Sequence, residues 1–563
     1  MARFNGFTKQ QLLDIYQTMV LARELDNKML NLLKQGKGFF HMGCSGHESA
    51  QIAAALAIQG GKDWSYPYYR DGAYTLALGV TPREHLLSFL ARADDPSSGG
   101  RQMPMHYSNK NLRIVSQSSA TGTQYLQSVG CALTRKLEKN KEVVYVSSGE
   151  GTTSQGDFHE ALNWASREKA PVIFHIQDNE YAISTHKSEQ TAGSVYSLVS
   201  GYENLSKIQV DGTNFFESSL AFKQAVERAR RGKGPTVIVS NVVRLMPHSS
   251  SDDQRKYRSE EDLAKDMERD PIELFKNSCI NENIFSEKDA EKIAQESSKQ
   301  IADDISWADE QDHPNKETAI DHIYSGDYVG KETKIVKKAD SVVMVDAINH
   351  ALHEEMDKNE KMVIYGQDIA DPKGGVFTAT KGLSTVFGKE RVFNSPLAES
   401  SIIGTAVGMA VTGYKPVVEI QFGDYIWTAM MQIRNEVSVM RYRSNNDWSC
   451  PMVIRVPVGG YIHGALCHSQ SIDGYFMHMP GIFIAYPSNA KDAKGLLKMA
   501  CRMNDPVLFM EHKGLYRQPY ASTEEPDDKY LLPFGKASYV KKGDDLTVIC
   551  WGAMVQKSID AIQ

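Results

Sequence analysis

A chain of 563 residues that is 41% apolar and 24% charged has the composition of an ordinary globular protein with room for several domains. Its formal net charge of -7 supplies no basic field for nucleic acid or an anionic membrane, and no uninterrupted apolar run approaches the ~18 residues that a membrane span needs. Seven scattered cysteines without a Cys-x-x-Cys pair suit reduced thiols, and the opening MARFNGFTKQQLLDIYQTMV has no leader-like pattern, so a soluble cytoplasmic protein is expected.

Behind a Thr8 cap, residues 8–35 carry Leu12, Ile15, Tyr16 and Met19 at helical spacing. A Gly-rich loop over 36–46 then leads through His47-Glu48-Ser49 into a helix over 50–58. His41 and His47 have no third ligand at sensible spacing, which favours a loop or substrate contact over a metal site. In Tyr66-Pro-Tyr-Tyr69-Arg70-Asp71-Gly72 an aromatic ring stands beside a guanidinium, the group suited to fork-like recognition of phosphate oxygens. A lone Arg-Asp pair on a loop is more often a surface ion pair.

The chain is organised around residues 143–181. An apolar β-branched run, Val143 to Val146, leads into Gly149-Glu150-Gly151, an amphipathic helix covers about 157–167, and a second apolar run, Val172 to Ile176, ends at Asp178-Asn179. This is a βαβ unit, and it places Glu150 and Asn179 at the carboxyl ends of neighbouring parallel strands, where open α/β sheets bind ligands. Glycines on both sides of Glu150 let the backbone approach a large anion, and two side-chain oxygens suit Mg²⁺ holding diphosphate oxygens. A bare Gly-Glu-Gly is more often a tight turn with an exposed acid, so the weight rests on Asn179 being present as well.

A strand near 207–210, a helix over 217–230 and a strand over 236–241 complete a first parallel α/β domain. Residues 243–259 are polar, Ser-rich and mixed in charge, the composition of a mobile surface loop. Charged helices follow to residue 310, then a linker rich in Asp, Lys and Gly over 311–340. A second α/β pattern has strands at 362–365, 417–420, 452–456, 482–485 and 507–510, and it does not repeat Gly-Glu-Gly. A last strand over 546–550 and a helix that runs into Gln563 read as the start of a third, truncated domain. The expected division is 1–310, the linker 311–340, 341–530 and 531–563.

The central stretch resembles the thiamin diphosphate signature Gly-Asp-Gly…Asn-Asn, with Glu150 for the central acid and Asp178 for the first Asn. The Glu variant, Gly156-Asp-Phe-His-Glu-Ala161 and Tyr181-Ala-Ile-Ser-Thr185 are similar to the decarboxylating component of branched-chain 2-oxo acid dehydrogenases. In the second half, Leu397-Ala-Glu399, Gln421-Phe-Gly-Asp-Tyr425 and His463-Gly-Ala-Leu-Cys-His468 match the same family in order. The resemblance implies two thiamin diphosphate-binding, transketolase-like domains of parallel sheets flanked by helices, with the α and β subunits fused and a C-terminal domain of the same α/β kind cut short.

It further implies Mg²⁺ held by Glu150, Asn179 and the backbone oxygen of Tyr181, diphosphate contacts from Tyr69, Arg70, Gly149, Gly151 and Arg244, and a loop with Ser119 that lines the cofactor. Gln421 and Tyr425 would contact the pyrimidine. Glu399, an acid that on sequence alone reads as a helix cap, would share a proton with the aminopyrimidine nitrogen. His248 and His468 would handle protons, the substrate carboxylate or the lipoyl group. The implied reaction is oxidative decarboxylation of a branched-chain 2-oxo acid with acyl transfer to a lipoyl-bearing dihydrolipoyl acyltransferase, by a homodimer. Pyruvate or acetoin dehydrogenase is the near alternative. A transketolase-type transferase fits the motifs less well. A non-catalytic assembly protein draws on Asp178, on Gln367 where relatives have an acid, and on Gln177 where branched-chain relatives have a phosphate-binding Arg.

Overall fold

The computed structural model describes residues 4–326, 333 and 340–562; the expected linker over 311–340 lies partly outside them. The chain forms two compact units, Met1–Asp321 with Tyr442–Trp448, and His322–Arg441 with Ser449–Gln563.

In the first unit, helix α1 (Lys9–Lys34) begins with a capping box in which Thr8 Oγ1 accepts from Gln11 N, and it buries the Leu12, Ile15, Tyr16 and Met19 face. Helix α2 is Glu48–Ala57. Five parallel strands, β1 (Trp64–Tyr66), β2 (Val144–Gly149), β3 (Val172–Asp178), β4 (Ser206–Asp211) and β5 (Thr236–Asn241), lie in the order β1-β2-β3-β5-β4. Helices α3 (Thr123–Leu137) and α5 (Phe215–Arg230) pack on this sheet, and α4 (Gly156–Glu168) packs against α3. The α4 crossover makes β2 and β3 neighbours, with Gly149 in register with Gln177, so Glu150 and Asn179 leave adjacent strand ends as the βαβ reading requires.

Both central strands run further than their apolar runs. Ser147, Ser148, Gln177 and Asp178 continue them as buried polar residues, which is possible only because hydrogen bonds satisfy their side chains.

The second unit carries helix α6 (Met344–Lys358) and six parallel strands: β6 (Met362–Gly366), β7 (Val392–Asn394), β8 (Lys415–Glu419), β9 (Val453–Val458), β10 (Phe483–Ala485) and β11 (Val507–His512). Their order is β7-β6-β8-β9-β11-β10, with α7 (Glu399–Val411) and α8 (Ala490–Arg502) among the flanking helices. A buried ion triad fixes the central register: Arg455 on β9 lies 2.7 Å from Glu419 on β8 and 2.7 Å from Glu511 on β11. An unpaired member of such a triad is costly in a dry core, so strand slippage that separates the three is disfavoured.

The strand expected over 546–550 is absent. These residues have no ladder, and Leu546 and Ile549 are 77% and 82% exposed. An apolar run without a neighbouring strand to pair with cannot satisfy its backbone as a strand. The helix after it forms as Met554–Ala561. No described helix is long and apolar enough to cross a membrane.

Candidate active site

In the first unit, the β2 and β3 ends gather a charged pocket lip. Glu150 is 2% exposed; its Oε2 accepts from Asn179 N at 3.2 Å, while Oε1 is buried with no hydrogen-bond donor among the described residues. Burial, and next the charge of Asp178, push its carboxyl up to about 7. A buried acceptor of this kind calls for a cation, and Gly151 shows how tightly the surroundings close on it: a Cβ there would sit 2.5 Å from the Cβ of Ala182.

Asn179 accepts from Tyr181 N at 3.2 Å through Oδ1, and Tyr181 opens a short hairpin that pairs with His186. The Tyr181 ring has the Arg258 guanidinium 4.9 Å from its centre. Asp178, the departure from the family pattern, has partners of its own beside Glu150. Its Oδ1 accepts from Glu180 N at 3.0 Å, and its Oδ2 lies 3.5 Å from Lys187 Nζ.

Arg70 is buried and donates from Nη1 to Gly43 O at 2.6 Å and from Nη2 to His248 O at 3.0 Å. Tyr69 packs edge-on against His248 with ring centres 6.0 Å apart. Burial and then the Arg70 and Arg244 charges press the His248 imidazole down to about 3, so it is neutral and able to accept a proton only from a strong donor. Arg244 gives Nη2 to Ile183 O at 3.0 Å and Tyr257 OH at 2.7 Å. Its Nε and Nη1 are buried and have no acceptor among the described residues, and burial lowers its proton affinity. A guanidinium with two idle donors is built for an anion.

Ser119 meets His106 Nε2 at 2.6 Å, and the His106 ring lies 6.4 Å from that of Tyr69. Sequence reasoning missed His106 and Tyr257, which carry no motif of their own. His47, expected as a loop or substrate contact, is instead fully buried and touches Gln177 and Asn179; among the described residues there is no cluster of three metal-ligating side chains.

The second unit assembles its own set. Glu399 begins α7, yet its side chain does not cap that helix. Oε1 accepts from Gln367 Nε2 at 3.4 Å and Oε2 from Thr428 Oγ1 at 3.2 Å, which leaves a half-buried carboxylate aimed away from the helix end. Tyr425 OH and His468 Nε2 are 2.7 Å apart, and Phe422 packs edge-on against His468 with ring centres at 4.6 Å. Gln421 donates to Asp368 Oδ2 at 2.6 Å. Asp424 accepts from Ser469 N at 3.3 Å and so ties the Tyr425 segment to the loop that carries His468.

Residues 16–317 match the family described as Dehydrogenase E1 component, and residues 340–519 match the transketolase pyrimidine-binding domain. The chain belongs to the dehydrogenase E1 component family. It is 38% identical over 321 residues to the 2-oxoisovalerate dehydrogenase subunit alpha of Bacillus subtilis, covering 57% of this chain and 97% of that one. It is 51% identical over 219 residues to the subunit beta from the same bacterium, covering 39% of this chain and 66% of that one. The pyruvate dehydrogenase E1 component subunit beta of Bacillus subtilis is 43% identical over 220 residues, 39% of this chain and 67% of that one. This E1 chain therefore spans about two thirds of the beta-type relatives and nearly all of the alpha type. The family is thiamin diphosphate-dependent, and both α/β units have the parallel, helix-flanked sheets that go with it.

Proposed function

We propose that this E1 chain is the decarboxylating component of a branched-chain 2-oxo acid dehydrogenase, with Mg²⁺ and thiamin diphosphate as cofactors. One observation carries the reading: a buried carboxylate oxygen of Glu150 without a donor and two buried guanidinium nitrogens of Arg244 without an acceptor, among the described residues, lie beyond the carboxyl ends of strands of one sheet. Unsatisfied buried charge of both signs in one place is costly unless a cation and an anion enter together, as a metal diphosphate does. Glu150, Asn179 and the backbone oxygen of Tyr181 would hold the metal. Tyr69, Arg70, Gly149, Gly151 and Arg244 would meet the diphosphate, and the loop with Ser119 would line the cofactor.

Thiamin diphosphate supplies, when bound, the electron sink that decarboxylation of a 2-oxo acid requires. In the second unit, Glu399, held by Gln367 and Thr428, would share a proton with the aminopyrimidine nitrogen, and Tyr425 and Gln421 would contact the cofactor. In the second unit His468, aligned by Tyr425, would handle protons or the substrate carboxylate; in the first, the neutral His248 would be a contact for the substrate or the lipoyl group. The substrate loses CO₂, its acyl carbon is oxidised, and the disulfide of the lipoyl group on an acyltransferase is reduced as it takes the acyl group.

The branched-chain assignment over pyruvate draws on the two subunit relatives named for 2-oxoisovalerate. Incubating the protein with 3-methyl-2-oxobutanoate or pyruvate, thiamin diphosphate, Mg²⁺ and an artificial electron acceptor tests it. Faster turnover of the branched acid is expected, and a preference for pyruvate transfers the chain to the other substrate class. A cytoplasmic homodimer is part of the proposal. The small residues Gly404, Ala406, Gly408 and Ala410 of α7 are already buried in the single chain, so they offer no free face to a second copy and the dimer rests on the family's pattern. Light scattering at micromolar concentration decides it.

A further inference from the structure

The metal reading leaves open what keeps Asn179 facing the right way. A side-chain amide presents oxygen or nitrogen to a neighbour according to what that neighbour demands, and a metal needs the oxygen. A line of buried polar groups running from α2 to Asn179 settles each of these choices in turn.

It starts on a backbone donor. Ala73 N donates to Gln51 Oε1 at 3.1 Å, so Gln51 must turn its Nε2 the other way, towards Arg70 O at 3.0 Å and Gln177 Oε1 at 2.9 Å. Gln177 therefore shows oxygen on this side and gives its Nε2 to Asp71 Oδ1 at 2.6 Å. His47 Nδ1 lies 2.7 Å from that same Gln177 oxygen, so Nδ1 carries the proton and Nε2 is a bare acceptor. Asn179 Nδ2 donates to it at 3.3 Å. The far end is a backbone donor again, Tyr181 N on Asn179 Oδ1 at 3.2 Å, so the polarity is fixed independently from both ends. His47, Gln51, Asp71 and Gln177 are fully buried and Asn179 is 6% exposed, so a member left without its partner is costly.

We propose that His47 is a positioning residue for the metal site, and that Gln51 and Gln177 fix its tautomer so that Asn179 keeps Oδ1 on the metal side. This rests on the metal role of Glu150 and Asn179 proposed above. It also gives Gln177 a role of its own, because where branched-chain relatives place a phosphate-binding Arg, this chain places the amide that sets the imidazole. Groups of this kind, which touch a ligand and not the metal, typically change metal affinity ~10- to 100-fold when lost.

The test is titration of the complete chain with Mn²⁺ in saturating thiamin diphosphate, reading free Mn²⁺ by its paramagnetic resonance signal, with the melting temperature of the metal-free protein recorded for each variant. His47→Leu is expected to weaken Mn²⁺ binding by ~10- to 100-fold. His47→Gln, which keeps a donor for Gln177 and an acceptor for Asn179, should recover most of the loss. Gln177→Met removes the acceptor that holds the proton on Nδ1, and it should weaken Mn²⁺ although it touches no ligand; it serves where His47→Leu fails to fold. Wild-type Mn²⁺ affinity in folded His47→Leu or Gln177→Met, with Glu150→Ala abolishing binding, overturns the relay and leaves the metal site standing. Wild-type affinity in Glu150→Ala overturns the metal site and the relay with it. A loss in His47→Gln equal to that in His47→Leu also overturns the relay, since the preserved polarity would then count for nothing.

Discussion

Gln367 Nε2 lies 3.4 Å from Glu399 Oε1, so the acid proposed to serve the cofactor is held on one side by a neutral amide. Thr428 Oγ1 holds the other oxygen at 3.2 Å. The neutral donor orients the carboxylate without competing with it for a proton. Exchange of the thiazolium ring proton into deuterated water reads out that service. Glu399→Gln should slow it by at least the ~10²-fold typical of acid–base groups, while Gln367→Leu, which removes one of two tethers, should slow it only severalfold. Equal losses in the two variants would show that Gln367 shares the chemistry and does more than hold its neighbour.

Arg244 offers the sharpest discrimination between phosphate recognition and general packing. Its Nη2 is occupied by Ile183 O and Tyr257 OH, whereas Nε and Nη1 are idle among the described residues. A charged hydrogen bond is worth about 1.5–3 kcal/mol, so Arg244→Met should weaken thiamin diphosphate by roughly 10- to 100-fold and leave unphosphorylated thiamin nearly unaffected. Calorimetry with both ligands measures this. A parallel loss for thiamin would place Arg244 away from the diphosphate.

Much of this was legible before folding. Strands β2, β3 and β5 announce themselves as β-branched runs, and Gly-Glu-Gly with a later Asn marks two adjacent strand ends. The short strands Trp64–Tyr66 and Val392–Asn394 are three residues each, too brief to show a period, and their place comes from parallel pairing with β2 and β6. The 546–550 run has the composition of a strand but no partner. His47 and Gln177 stand far apart in the sequence and acquire meaning only when folding buries both beside Asn179. Such polar relays leave no periodic trace, because each member is selected by its neighbour in space.

Gly151 is the steric counterpart of that relay. An added Cβ would meet the Ala182 Cβ at 2.5 Å, within the hairpin that Tyr181 begins. Gly151→Ala must shift the hairpin, and with it the Tyr181 backbone oxygen. Overpacking of this kind costs about 1–3 kcal/mol. Mn²⁺ affinity should fall in Gly151→Ala and recover in part in Gly151→Ala combined with Ala182→Gly, which removes the opposing methyl. No recovery in the double variant would mean that the close approach is not what the glycine serves.

Lys415 tests the second unit through pH. It is fully buried, donates from Nζ to Met503 O at 2.8 Å where α8 ends, and burial presses its ammonium down to about 8. Below pH 8 the lysine is charged in both folded and unfolded chains, and burying the charge costs its full penalty. Between pH 8 and about 10.5 the unfolded chain keeps the proton that the folded one has lost, so stability rises with pH; above that window both are neutral and the penalty is gone. The shift corresponds to about 3 kcal/mol. Lys415→Met lacks this dependence, and its lost hydrogen bond to Met503 adds an offset that pH does not change. Urea unfolding at pH 7.5 and pH 10 should therefore show the wild type gaining ground on Lys415→Met as pH rises, with other titrating groups cancelling between the two proteins. Parallel pH profiles would show that the ammonium titrates at the same pH in the folded and unfolded chains, as a solvated lysine does.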